Sequence, residues 1–185
     1  MTEIHLKSVI DEMGDIWFFA YGSLMWNPGF NAKETRKAKL KGWQRRFCVS
    51  SETYRGTRDQ PGLSLGLDAG GECQGLAMCI AETDRERIFD YLNNREMLEG
   101  IYSCVPVEIE LDDHTVKGYT LVVNRDHALY VGEISMEKTA ERILHASGKK
   151  GSNRDYLAAT VKHLDGQGLN DKMLKTLLSL VNQNM

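Results

Sequence analysis

Residues 104–123, CVPVEIELDDHTVKGYTLVV, predict a β-hairpin near the middle of the chain. Apolar residues recur at every second position from Val105 to Leu111, with a proline and two glutamates between them. This period of two is typical of a strand that has one buried face. The polar DDH at 112–114 predicts a turn, after which TVKGYTLVV forms the returning strand. We therefore expect antiparallel pairing within a sheet that packs on one side.

Strand patterns fill the first two-thirds of the chain, and helical patterns fill the last third. The other predicted strands are IWFF (16–19), LKGWQRRFCVS (40–50), LSLGLD (63–68) and CQGLAMCI (73–80). Helices are predicted at 83–97, 136–148, 152–164 and 171–181. The glycines of AGGE (69–72) predict a hairpin, Thr83 and Glu86 have capping-box spacing, and Ser135 is a predicted N-cap. Strands followed by helices favour an α+β fold, a small antiparallel sheet or barrel with flanking and C-terminal helices.

The amino-acid composition of the chain argues against several classes of protein function. The chain has 185 residues, 42% hydrophobic and 26% charged, so a single globular domain spanning 1–185 is expected. The net charge of −3 provides no basic field for nucleic acid, and no apolar run approaches the ~20 residues of a membrane span. Four cysteines without a CxxC pair predict reduced thiols in a cytoplasmic protein, and the histidines show no zinc-binding spacing. We expect no metal; the oligomeric state is not predicted.

The stretch AYGSLMW (20–26) interrupts an apolar run with a Gly-Ser pair and then resumes with three large apolar residues. A glycine here lets the backbone approach another group closely. Three consecutive N–H groups at such a bend can form a concave nest for a carboxylate, and Ser23 can add a hydroxyl donor. The alternative is a β-bulge or tight turn that binds nothing. The local pattern by itself favours that alternative.

Glu96 is the second candidate, within YLNNREMLEGIY (91–102). Its apolar neighbours in sequence predict partial burial, and a desolvated carboxylate can exchange protons near neutral pH. The alternative is a simple ion pair between Glu96 and Arg95 or another cation. Tyr130, in ALYVGE, is more often expected to be an aromatic residue in the core or at its rim than a ligand contact. No Ser-His-Asp or Cys-His site can be assigned, because no nucleophile lies in a recognisable motif.

Several stretches together resemble the ChaC-like γ-glutamylcyclotransferase family, in particular its glutathione-specific branch. They follow the family's order and are FFAYGSLMW (18–26), RRFCVSSETYRGT (45–57), PGLSLGLDAGGECQGLAM (61–78), YLNNREMLEGIYSCVPV (91–107), TLVVNRDHALYVGEI (120–134) and GSNRDYLAATVKHLDGQGLND (151–171). The sequence departs from the family at Met25, where many relatives carry isoleucine, a substitution of similar volume.

The resemblance implies an α+β fold built on a small β-barrel. It also implies an enzyme that converts γ-glutamyl peptides, glutathione in particular, to 5-oxoproline and, from glutathione, Cys-Gly without a cofactor. The implied catalytic residue is Glu96. The implied substrate-binding residues are Tyr21, Gly22, Ser23 and Leu24, which would hold the γ-glutamyl group, and Tyr102 and Tyr130, which would line the pocket.

This chemistry agrees with the residue types present. The α-amine of a γ-glutamyl amide can attack its own γ-carbonyl and close a five-membered ring, so no protein nucleophile is required. Two other functions stay open at this stage. One is the same reaction on another γ-glutamyl amine or amino acid. The other is a non-catalytic binding or regulatory protein linked to cation transport.

Overall fold

A computed structural model of the chain describes residues 13–97 and 100–183. These residues form two compact units. The first comprises 13–45, 67–97 and 100–127, and the second comprises 46–66 and 128–183. The single domain expected over 1–185 stays a prediction.

Five strands close a barrel in the order β1-β3-β2-β4-β5. They are β1 (Ile16–Ala20), β2 (Glu34–Ser51), β3 (Gly62–Ile80), β4 (Tyr102–Glu110) and β5 (Thr115–Val123). The pairs β1–β3, β2–β4 and β4–β5 are antiparallel, whereas β1 and β5 are parallel. A closed ring with an odd number of strands cannot alternate direction throughout, so at least one parallel pair is required. The α+β fold with a small barrel is confirmed, and the parallel closure is its one departure from the antiparallel prediction.

The hairpin predicted from 104–123 is confirmed. Tyr102 lies opposite Val123 at one end of the β4–β5 ladder, and Glu110 lies opposite Thr115 at the other. The apolar face predicted for β4 points into the barrel core, since Val105 and Ile109 are both buried there. The buried members of this core are Phe19, Ala38, Leu40, Leu67, Cys73, Ala77, Val105, Ile109, Leu111 and Val122.

The hairpin predicted at 69–72 is wrong. These residues lie inside β3, which continues to Ile80 and pairs with β1 from Leu76 onward. Gly70 and Gly71 have φ values of 111° and 64°. That left-handed backbone is readily adopted only by glycine. The glycines therefore change the local course of one long strand without reversing it.

In the first unit, a 3₁₀ turn (Glu82–Asp84) leads into helix α1 (Arg85–Leu92), and a π-helical turn (Asn93–Met97) follows. The capping box predicted for Thr83 and Glu86 is wrong, because the N-cap of α1 is Asp84, one residue later than that box requires, and it makes no side-chain capping hydrogen bond. The helix buries Ile88, Phe89 and Leu92, as its pattern predicted.

The second unit contains the helices α2 (Met136–His145), α3 (Asn153–Gly166) and α4 (Lys172–Gln183), which pack on one another. Ser135 caps α2 as predicted, since its side chain accepts a hydrogen bond from the Lys138 N–H. The short strands β6 (Ser147–Gly148) and β7 (Gly151–Ser152) separate α2 from α3. Within 13–97 and 100–183, no helix combines the length and apolar character that a membrane crossing requires.

Gly118 permits the parallel contact that closes the barrel, and its replacement should destabilise the fold. A Cβ atom at position 118 would lie 2.7 Å from Cδ1 of Ile109 and closer still to the backbone oxygen of Trp17. We expect Gly118→Ala to lower the free energy of unfolding by about 1–3 kcal/mol, measured by urea denaturation. Gly166→Ala is the control, because a Cβ atom there meets nothing within 4 Å. Equal stability of the two variants would contradict this role.

Candidate functional site

The chain leaves β1 at Ala20 and enters a single 3₁₀ turn, Ser23–Met25. The Met25 N–H donates to the Gly22 carbonyl over 2.9 Å. By contrast, the backbone N–H groups of Gly22, Ser23 and Leu24 donate to no other residue in the part of the chain that the structure describes. Three consecutive donors are thus uncommitted, as a carboxylate-binding nest requires. Their role in binding stays a prediction.

Arg45 holds the chain just before this turn. It is not among the site residues predicted from the sequence. Its side chain is buried at 4% exposure. Nε donates to the Tyr21 carbonyl over 2.5 Å, and Nη2 donates to the Gln74 carbonyl over 2.6 Å. The guanidinium therefore ties Tyr21, two residues before the turn, to β3. The sequence feature that could have identified Arg45 is its position within LKGWQRRFCVS, a stretch whose other residues predict a buried strand.

Glu96 lies in the π-helical turn after α1. One of its carboxylate oxygens, Oε1, is 2.8 Å from Nε of Arg95, and each of the two side chains is 21% exposed. The ion pair considered as an alternative is therefore present. The second oxygen, Oε2, makes no hydrogen bond to a described residue, and the role of Glu96 as a base stays a prediction. Single π turns are frequent at functional sites.

Arg95 brings Glu96 and the turn at Ser23 together. Its Nη2 donates to the Ser23 hydroxyl oxygen over 3.0 Å, across 72 positions of sequence. Its Nη1 donates to the Tyr91 hydroxyl over 2.8 Å and to the Asn27 carbonyl over 2.6 Å. One guanidinium thus connects the predicted base to the predicted binding turn. From the sequence, Arg95 is predicted only as a partner of Glu96. Nothing in the sequence indicates its contact with Ser23.

The two predicted tyrosines lie in different units. Tyr102 is the first residue of β4, is half-buried, and belongs to a strand that packs against the π turn. Tyr130 is half-buried in the second unit, where it forms an isolated β-bridge with Val49. The first unit therefore contains Tyr21, Gly22, Ser23, Leu24, Glu96 and Tyr102. The roles proposed for both tyrosines stay predictions.

A cleft of about 590 Å³ lies in the first unit away from these residues. It is lined by Asp15, Ile16, Pro106, Val107, Glu108, Lys117, Gly118 and Tyr119. None of the described site candidates lines it, so the cleft is not part of the predicted site. Across 13–97 and 100–183, no group of three or more His, Cys, Asp or Glu side chains is arranged to hold a metal ion. The expectation that no cofactor is needed stays a prediction.

The chain is similar to known proteins in sequence and in fold. The chain matches the ChaC-like protein family over residues 16–184. It belongs to that family. The glutathione-specific gamma-glutamylcyclotransferase of Escherichia coli (strain K12) is 36% identical over 166 residues, covering 89% of this chain and 72% of that protein. Gamma-glutamylcyclotransferase 2-3 of Arabidopsis thaliana is 31% identical over 177 residues, covering 90% and 88% respectively.

A solved structure confirms the ChaC-like fold. The selenomethionine-labelled γ-glutamylcyclotransferase specific to glutathione from yeast superposes with a TM-score of 0.83. The match covers 92% of this chain and 97% of that chain at 23% sequence identity. The family match and the curated relatives confirm the resemblance drawn from the sequence stretches.

Cys104, two residues after Tyr102, is the cysteine nearest in sequence to the site candidates. It is a free, fully buried thiol, and burial raises its pKa to about 12. A thiol with that pKa is almost entirely protonated at neutral pH, and the nucleophilic form of cysteine is the thiolate. Cys104 is therefore not an activated nucleophile in this ChaC-like chain.

This burial predicts slow alkylation of Cys104. We expect iodoacetamide to leave Cys104 unmodified in the folded protein at pH 8, because the thiolate is scarce and inaccessible. Peptide mass spectrometry would measure the modified fraction over time, with the urea-unfolded protein as the control. Labelling of folded and unfolded protein at similar rates would contradict both the burial and the raised pKa.

Proposed function

We propose that this chain is a glutathione-specific γ-glutamylcyclotransferase of the cytoplasm, which cleaves glutathione to 5-oxoproline and Cys-Gly. The observation that carries the proposal is the connection through Arg95 between the Glu96 carboxylate and the Ser23 turn. A proton-exchanging carboxylate and a row of uncommitted N–H donors are the two parts that γ-glutamyl cyclisation needs. Membership of the ChaC-like family and the named activity of the E. coli relative support this assignment.

The reaction is an intramolecular transfer in which no water is consumed. Glu96 accepts a proton from the α-ammonium group of the substrate, which frees the amine lone pair. The amine nitrogen attacks the γ-carbonyl carbon, and a new C–N bond closes the five-membered ring. The bond from that carbon to the cysteine nitrogen then breaks as Glu96 delivers its proton to that nitrogen, and the extra proton on the ring nitrogen also passes to the departing amine, which leaves as an ammonium group. Glutathione thus divides into 5-oxoproline and Cys-Gly with all atoms retained.

The turn at Gly22, Ser23 and Leu24 supplies orientation. Its N–H groups would bind the α-carboxylate and hold the γ-glutamyl chain folded, so that amine and carbonyl meet. Correct orientation of reacting groups can contribute roughly 7–11 kcal/mol of barrier reduction in favourable intramolecular systems. Tyr102 is proposed to line the pocket, and a substrate contact of Tyr130, which lies in the second unit, stays a prediction. A glycine at position 22 keeps side-chain bulk away from the bound carboxylate.

Replacing Glu96 with glutamine tests the proposal directly. The purified protein is incubated with reduced glutathione, and 5-oxoproline and Cys-Gly are quantified by mass spectrometry. We expect Glu96→Gln to lower kcat by about 10²- to 10⁴-fold, because glutamine keeps the shape and loses the basicity. Glu86→Gln is the matched control, since Glu86 is exposed on α1, the helix that precedes the π turn of Glu96. Full turnover by Glu96→Gln would exclude Glu96 as the base.

The relative from Arabidopsis is named a γ-glutamylcyclotransferase without reference to glutathione. This favours, as the second candidate, the same reaction on another γ-glutamyl compound. Turnover of glutathione is therefore compared with turnover of γ-Glu-Ala and γ-glutamyl-lysine. A large preference for glutathione supports the first candidate, and a preference for either other compound supports the second. Binding of all three compounds without product would instead indicate a non-catalytic binding protein.

A further inference from the structure

The guanidinium of Arg95 has an unusual set of partners for a residue at the end of a surface helix. It makes hydrogen bonds to the Ser23 hydroxyl, the Tyr91 hydroxyl and the Asn27 carbonyl, and it forms the ion pair with Glu96. Surface ion pairs usually contribute little to stability. Here the same group also joins two segments that are distant in sequence, so its main effect is on their relative position.

A second layer of residues holds Arg95 in place. The Tyr91 ring lies 5.8 Å from the Arg95 guanidinium carbon, and its edge contacts Phe30 at a centroid distance of 6.5 Å. Gly29 has a φ of 76°, and the Tyr91 hydroxyl fills the space that a Cβ atom at Gly29 would occupy. The close approach of Tyr91 to this backbone limits the positions available to its hydroxyl. Tyr91 therefore adds a further restraint on Arg95 beyond its contacts with Ser23 and Glu96.

These contacts determine what Ser23 and Glu96 can do. Arg95 donates to the Ser23 oxygen, so the Ser23 hydroxyl proton is left to be donated to another acceptor. The ion pair engages Oε1 of Glu96, so the orientation of the carboxylate is fixed while Oε2 stays available for proton exchange. A carboxylate and a hydroxyl donor oriented by one rigid, planar group keep a constant separation.

We propose that Arg95 is a positioning residue for the cyclotransferase reaction, acting through Ser23 and Glu96 and not through the substrate. This inference rests on the proposed function. A guanidinium already bound to four protein groups has little capacity left for a substrate carboxylate. Its removal should therefore misplace the base relative to the bound γ-glutamyl group and lower kcat much more than it changes KM.

Arg95→Ala tests this role by steady-state kinetics with glutathione. We expect kcat to fall by about 100-fold, because misplacement of a reacting group by about 1 Å can reduce the rate by that factor. Added guanidinium ion, at a concentration that leaves the fold intact, should restore part of the lost turnover by occupying the vacated space. Arg95→Lys should stay impaired, since an ammonium group keeps the charge but lacks the planar fork.

The controls separate positioning from folding. Arg87→Ala removes an exposed arginine from α1, the helix that precedes the π turn of Arg95. This variant should keep both the kcat and the unfolding temperature of the wild type. Tyr91→Phe removes one hydrogen bond to Arg95 without a change of charge, and it should give a smaller loss of kcat. Guanidinium should not rescue Glu96→Gln, which still carries Arg95.

Two outcomes overturn the inference while leaving the proposed function intact. One is wild-type kcat in Arg95→Ala, and the other is a loss in a folded variant that guanidinium does not reverse. A wild-type protein that forms no 5-oxoproline from any γ-glutamyl substrate contradicts the proposed function itself, and this role of Arg95 with it. Product formation by the wild type therefore distinguishes the two failures.

Discussion

The candidate site depends on the position of one short strand. β1 has only five residues, yet it pairs with β3 on one edge and with β5 on the other. The buried Thr120 hydroxyl adds a hydrogen bond of 2.9 Å to the Phe19 carbonyl. A strand paired on both edges cannot shift its register without breaking hydrogen bonds on each side. The turn that follows Ala20 therefore begins from a fixed point.

Two arginines extend this rigidity into irregular backbone. Arg45 ties the Tyr21 carbonyl to Gln74 of β3, so the chain just before the turn is held by a buried cation. Arg95 joins the next part of the turn to the π segment. Because arginine presents several donors in one plane, a single side chain can join several acceptors that belong to different elements. These short stretches outside helices and strands are thereby held in defined positions, as strand pairing holds the barrel residues.

Sequence patterns predicted the barrel strands well where a local signal was present. The alternation at Val105 and Ile109 identified the β4 face correctly, since period and burial are local properties. The hairpin predicted at Gly70 and Gly71 was wrong, because paired glycines are equally consistent with a turn and with a bent strand. The parallel β1–β5 pair could not be predicted from patterns, since it follows from closing a ring of five strands. The proposed base and binding turn were identified through the family resemblance, whereas Arg95 and Arg45 depend on contacts distant in sequence.

An intramolecular cyclisation places particular demands on a protein. The substrate brings its own nucleophile, so rate enhancement depends on holding a flexible chain in one folded conformation and on moving one proton. A buried thiol such as Cys104, with a pKa raised to about 12, contributes to neither task. In the proposed mechanism, the turn with uncommitted N–H donors serves the first task and the half-buried carboxylate serves the second, provided that their separation does not vary. The barrel closure fixes the turn, and Arg95 fixes the carboxylate relative to it. The chemistry can therefore be simple because the geometry is constrained.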